Sequence, residues 1–167
     1  MLTALSSISD QKVNPTDQTM QKIKQVLDYA ASHPDSVLKY QASEIVLAGH
    51  SDALHLSGKK SHIRAGGYFF MSNNITFSPN NGAVFAISII IKAAMSLLAE
   101  SELGALFINC KEAIPSQQAL EEMGHKQPST PMKTDNTTTH GGVTNNISSK
   151  RQKSMDMQLH WLRCRST

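Results

Sequence analysis

Apolar residues recur along the chain with two different periods, and the changes of period divide it into elements. Residues 1–15 are polar and are expected to be irregular. From Thr16 to Ser32, Met20, Ile23, Leu27 and Ala30 recur at helical spacing, and His33-Pro34 ends that helix. Residues 37–41 (VLKYQ) alternate and read as a strand end. Residues 44–56 read as a strand carrying Asp52, and Gly58 with Lys59-Lys60 marks a turn. Residues 62–71 then read as a second strand, the antiparallel neighbour of the first. Asn73-Asn74 and Pro79–Gly82 carry turn chemistry, and residues 83–91 (AVFAISIII) are apolar and rich in β-branched side chains, as in a third strand. A helix is expected from about Ala94 to Ile114 with Pro115 as its stop, followed by a shorter helical piece from Gln117 to Met123 that Gly124 ends. Pro128 and Pro131 lead into a short strand, Met132 to Asp135. Residues 136–149 are rich in Thr, Asn and Gly, poor helix formers, and Lys150 to Arg165 carries Met155, Leu159 and Leu162 at helical spacing. There is no internal repeat. A meander of strands, a helix, a further strand and more helices implies an α/β fold with a mixed sheet.

Length and charge narrow the picture. A chain of 167 residues suffices for one globular domain with a real core. Residues 83–99 are apolar, but they fall short of a membrane span and carry Lys92 in the middle, so a buried strand running into a helix is expected there and no membrane partner. The first residues lack a basic stretch followed by a long apolar run, so a secretory signal is not expected and an intracellular protein is. Cys110 and Cys164 form no zinc spacing and no disulfide framework. The net charge of +3 is concentrated at the end, where Lys150, Arg151, Lys153, Arg163 and Arg165 face a single acid, Asp156. Such a tail suits contact with nucleic acid, and equally a solvated helix face. The low aromatic content, 5%, leaves few platforms for stacking single-stranded bases and favours contact with a duplex backbone.

Three acids stand at positions where an acid is unfavourable. Leu98, Glu102, Leu106, Cys110 and Ile114 share one helix face, so Glu102 interrupts an apolar stripe, whereas Glu100 falls with Ser96, Gly104 and Lys111 on a face expected to be wet. Asp52 closes an apolar strand and Asp135 ends a short one. A buried carboxylate is costly unless paired, and three that converge would form an oxygen cage for a hard divalent cation. Taken singly, each has a plainer reading: Glu102 at the edge of its stripe reaching water, Asp52 as a solvent-facing strand end, Asp135 as a helix N-cap. The seven histidines show no metal-binding spacing, and the chain contains no phosphate-binding glycine loop and no serine-nucleophile elbow.

Five segments carry a resemblance. MQKIKQVLDYAASHPDSVLKY is similar to the linker helix that follows the reverse transcriptase in copia-type retrotransposon polyproteins. LAGHSDALHLSGKKSHIRAGGYFF resembles that family's "YSDADWAG…R.S.SGYVF" block, with Asp52 on its first Asp and Gly67-Tyr68 on its Gly-Tyr. MSLLAESELGAL resembles "SSTEAEYxAL", with Glu102 on the catalytic Glu. PMKTDNTTT resembles the strand ending in "DN", and SKRQKSMDMQLHWLRCR resembles "RTKHIDIxYHFIR". The resemblance is to the ribonuclease H region of those polyproteins and spans nearly the whole chain. It implies a linker segment over 1–42 and a ribonuclease H-like domain over 43–167, once part of a larger polyprotein.

The same resemblance implies an enzyme that hydrolyses the RNA strand of an RNA–DNA hybrid, with Mg²⁺ or Mn²⁺ held by Asp52, Glu102 and Asp135. RNA would be told from DNA by its 2′-hydroxyl. The family's fourth carboxylate, in an "ADxxTK" block, has no counterpart before Thr167, so the domain is expected to be truncated at its C-terminus. Asp156 falls on the "HIDI" aspartate, which is not that ligand. Leu103 replaces the family's aromatic residue and Leu54 the second Asp of "DAD". A catalytically inactive remnant that at most binds nucleic acid is the alternative.

Overall fold

The computed structural model describes residues 2–54, 63–73, 79–91, 98–135, 143 and 153–164. The chain forms two compact units, residues 1–39 and 40–167.

In the first unit, α1 (Leu2–Ser9) precedes α2 (Asp17–Ser32). Helix α2 begins at a capping box: Thr16 Oγ1 accepts the Thr19 N–H at 3.3 Å and Thr19 Oγ1 accepts the Thr16 N–H at 3.1 Å. It ends at His33, whose helical conformation Pro34 disfavours. The sequence suggested an irregular start, but residues 2–9 are helical. A helix this short depends on packing rather than on propensity, and Ala4, Ser7 and Ile8 line a cavity with Lys22, Gln25, Val26 and Tyr29 of α2. Of the apolar face read in α2, Met20 and Leu27 are 60% and 62% exposed, so that face is not what this unit buries. Residues 37–41 are not a strand. The Tyr40 hydroxyl donates to the Ala83 carbonyl and the Gln41 N–H to Asn81 Oδ1, contacts that fix an extended segment without a ladder.

The second unit is mixed α/β. Among the described residues its sheet has four strands, β1 (Val46–Leu54), β2 (Ile63–Ser72), β3 (Ala83–Ile91) and β4 (Met132–Thr134), in the order β3-β2-β1-β4. The first three form an antiparallel meander, and β4 joins β1 in parallel. The apolar run at 83–91 is thus an edge strand, and no helix among the described residues is long and apolar enough to cross a membrane. The turn expected at 58–60 lies outside the described residues.

Helix α3 (Leu98–Glu122) lies on one face of the sheet. It runs antiparallel to β1: Ala105 packs near Ala53, and Ala113 and Leu120 near Leu47. The helix does not stop at Pro115 but passes through it. Proline removes the hydrogen bond to the carbonyl four residues earlier, that of Lys111. Lys111 and Pro115 are both exposed, so the lost bond falls on the wet side, while Ala113 and Leu120 bury on either side of the proline and hold the axis. The end at Gly124 is as expected: its φ is +90°, and the His125 N–H bonds the Leu120 carbonyl while the Gly124 N–H bonds that of Glu121.

The outer side of α3 is covered in turn by α4 (Lys153–Arg163). Leu162 is buried with Leu103 and Leu106, and Trp161 meets Phe107 edge-to-face at 5.1 Å between ring centres. Because α3 is packed on two sides, the wet face expected for Glu100 is only partly wet: Gly104 is buried, Glu100 is half-buried and Lys111 is exposed.

Candidate metal centre

The register places two of the acids side by side. Parallel pairing of β4 with β1 ends at Ser51 and Thr134, so Asp52 and Asp135 each come one residue past the last paired position. Both are exposed. Strand alternation turns Leu47, Ser51 and Ala53 towards α3.

The third acid arrives from α3. Small residues, Ala53, Ala65 and Ala105, let the first turns of that helix approach the sheet closely, and Glu102 lies one turn before Ala105. Glu102 stands where two stripes of α3 meet. Ala105, Asn109 and Ala113 face the sheet, while Leu103, Leu106 and Cys110 face α4. Beyond the Ser51–Thr134 pair, β1 has no strand partner on the β4 side among the described residues. The Ala53 N–H donates there to the Glu102 carboxylate instead.

A carboxylate oxygen from each of Asp52, Glu102 and Asp135 lies within 4.8 Å of the others, and this is the one such group of three among the described residues. Glu102 is 5% exposed, and its Oε2 is buried without a hydrogen-bond partner. Burial first, then the charges of Asp52 and Asp135, push its pKa from 4.5 up to about 7, against the Ala53 N–H bond, which lowers it. Near neutral pH the side chain is therefore poised between a neutral acid and a buried anion. A buried carboxylate with one oxygen that no donor among the described residues satisfies, next to two further carboxylates, is what a cation would neutralise. The donors are all oxygen, which suits a hard divalent ion rather than a soft one.

The plain readings of the acids are thereby sorted. Glu102 is not at a wet edge. Asp52 is solvent-exposed, as its plain reading had it, and also meets Glu102; the helix that Asp135 would cap falls outside the described residues, and Asp135 is exposed and meets Glu102 as well. Of the basic tail, Lys150, Arg151 and Arg165 lie outside the described residues, as do the side chains of Lys153 and Arg163, whose backbone belongs to α4. Burial pushes the Cys110 thiol up to about 11, which keeps it protonated and a poor nucleophile.

Sequence reasoning passed over Asn109. It is fully buried, and its side-chain nitrogen donates to Ser51 Oγ and to the Gly66 carbonyl, both at 2.8 Å. The signal was the one that singled out Glu102, a polar residue inside a buried helical stripe. No family model, no curated protein and no solved structure matches this chain, so the reading of the centre rests on its own geometry.

Proposed function

We propose that this protein is a ribonuclease H-like, retroelement-derived nuclease module that holds Mg²⁺ or Mn²⁺ with Asp52, Glu102 and Asp135 and hydrolyses the RNA strand of an RNA–DNA hybrid. The observation that carries the reading is the convergence of three carboxylates from β1, α3 and β4 with one buried oxygen unpartnered. The order of elements supports it: an antiparallel meander, a long helix and a parallel fourth strand present the acids in the sequence that the resemblance to the ribonuclease H region implies. A divalent ion bound there would activate water and stabilise the leaving oxygen. Asp52 and Asp135, exposed, are the ligands a substrate phosphate can approach. Glu102 holds or releases a proton near neutral pH and, once ionised, contributes the buried oxygen.

A second reading is favoured by the count of carboxylates. Three among the described residues make a site for one ion, and a module that binds metal and nucleic acid without cutting fits that count.

End-labelled RNA–DNA hybrid incubated with the purified protein and Mg²⁺ or Mn²⁺ separates them. The nuclease reading expects nicks in the RNA strand that disappear with Glu102→Gln. Metal binding without cleavage leaves the second reading, and failure to bind metal removes both.

A further inference from the structure

We propose that Asn109 is a positioning residue for the acidic centre: its side-chain amide ties α3 to the Ser51 hydroxyl beside Asp52 and to the carbonyl of Gly66, the residue paired with Asp52, and so sets how far Glu102 reaches. The proposal rests on the metal-centre reading above and adds the device that holds it in shape.

Asn109 follows Glu102 by two helical turns, on the same side of α3. Its amide nitrogen touches two strands at once. Ser51 immediately precedes Asp52 on β1, and Gly66 is the cross-strand partner of Asp52 on β2. A carbonyl can only accept, so the contact with Gly66 fixes which end of the amide is nitrogen. Both donor hydrogens are then spent, one on β1 next to Asp52 and one on the position paired with Asp52 on β2.

The carbonyl end is treated differently. Asn109 Oδ1 is buried and has no hydrogen-bond partner among the described residues. It lies over Gly67, where an added Cβ would collide with Oδ1 and come within 2.7 Å of Ile87 Cγ1. A half-satisfied amide costs stability that an apolar residue would not. Ala105 and Ala113, one turn away on either side, show that the stripe accepts apolar residues. The amide therefore makes sense through what its nitrogen fixes, namely the rotation and height of α3 over β1 and β2.

The test replaces Asn109 and its hydroxyl partner together, Asn109→Leu with Ser51→Ala, so that neither is left unpaired. Two readouts are followed beside thermal stability. One is the affinity for Mn²⁺ by calorimetry. The other needs no metal: hydrogen exchange of the Ala53 amide, held by Glu102, compared with the Leu47 amide, held by Gln127 at the far end of β1. We expect a folded protein whose Mn²⁺ affinity falls about tenfold or more, as for groups that orient metal ligands. We expect the Ala53 amide to exchange faster while Leu47 is unchanged. Unchanged Ala53 exchange and unchanged affinity overturn the proposal, and so does equal acceleration at both amides, which would mark general loosening. Should the unaltered protein bind no Mn²⁺, the metal reading falls, and the Ala53-to-Leu47 comparison still decides whether Asn109 positions Glu102. If the double variant does not fold, Ser51→Ala alone carries the same comparison with a smaller shift.

Discussion

Glu102 should make the protein less stable as pH rises. In the unfolded chain it titrates near 4.5, and in the folded protein near 7, because burial and two neighbouring acids disfavour its anion. Between those values the folded state binds the extra proton, so stability is full below pH 4.5, declines through the interval and is lost above 7. At about 1.4 kcal/mol per pH unit the whole interval is worth about 3 kcal/mol. Asp52 and Asp135 are exposed and their repulsion is screened, so about 2 kcal/mol is the expected size. Urea denaturation at pH 5 and pH 8 measures it, for the unaltered protein and for Glu102→Gln, which keeps the shape and carries no charge. The difference between the two proteins should shift by about 2 kcal/mol in favour of the Gln variant at the higher pH. Saturating Mg²⁺ at pH 8 should restore the unaltered protein and leave the variant untouched. Parallel pH profiles for the two proteins would refute the reasoning, because Glu102 would then titrate as an ordinary surface acid.

Three further outcomes follow from the packing. Gly67→Ala should destabilise the domain by about 1–3 kcal/mol in urea denaturation, since the new methyl meets Asn109, Ile87 and Phe69. Gln127→Ala should cost about 1–3 kcal/mol and raise exchange at the Leu47 amide, because Gln127 Oε1 accepts the Leu47 N–H at 3.0 Å and its Nε2 donates to the Ile45 carbonyl at 2.9 Å, standing in for a strand at the start of β1. Leu162→Ala should lower the melting temperature and cost about 2–5 kcal/mol, by emptying the space between α4 and the Leu103–Leu106 face of α3.

The strands were legible because their patterns are local. The β-branched run at 83–91 and the strand read between two turns at 62–71 need no tertiary information, and β3 and β2 lie close to those spans. Glu102 was legible for a related reason: a charge inside an apolar stripe is visible on a helical wheel. What the pattern could not show is which neighbour covers each stripe. The face of Leu106 and Cys110 turns to α4, and the sheet takes Ala105, Asn109 and Ala113, small or polar residues that carry little hydrophobic signal. Pro115 misled for the same reason, since its cost depends on whether the Lys111 carbonyl meets water. The convergence of Asp52 with Asp135 depends on the register of a three-residue strand, and three residues have no period to read.

The proposed centre requires three side chains distant in sequence to share one cation. Anomalous diffraction from crystals soaked in Mn²⁺ tests it most directly. A single strong peak is expected within bonding distance of Asp52, Glu102 and Asp135, absent from crystals of Glu102→Gln. A peak elsewhere, or none between these carboxylates, would contradict it.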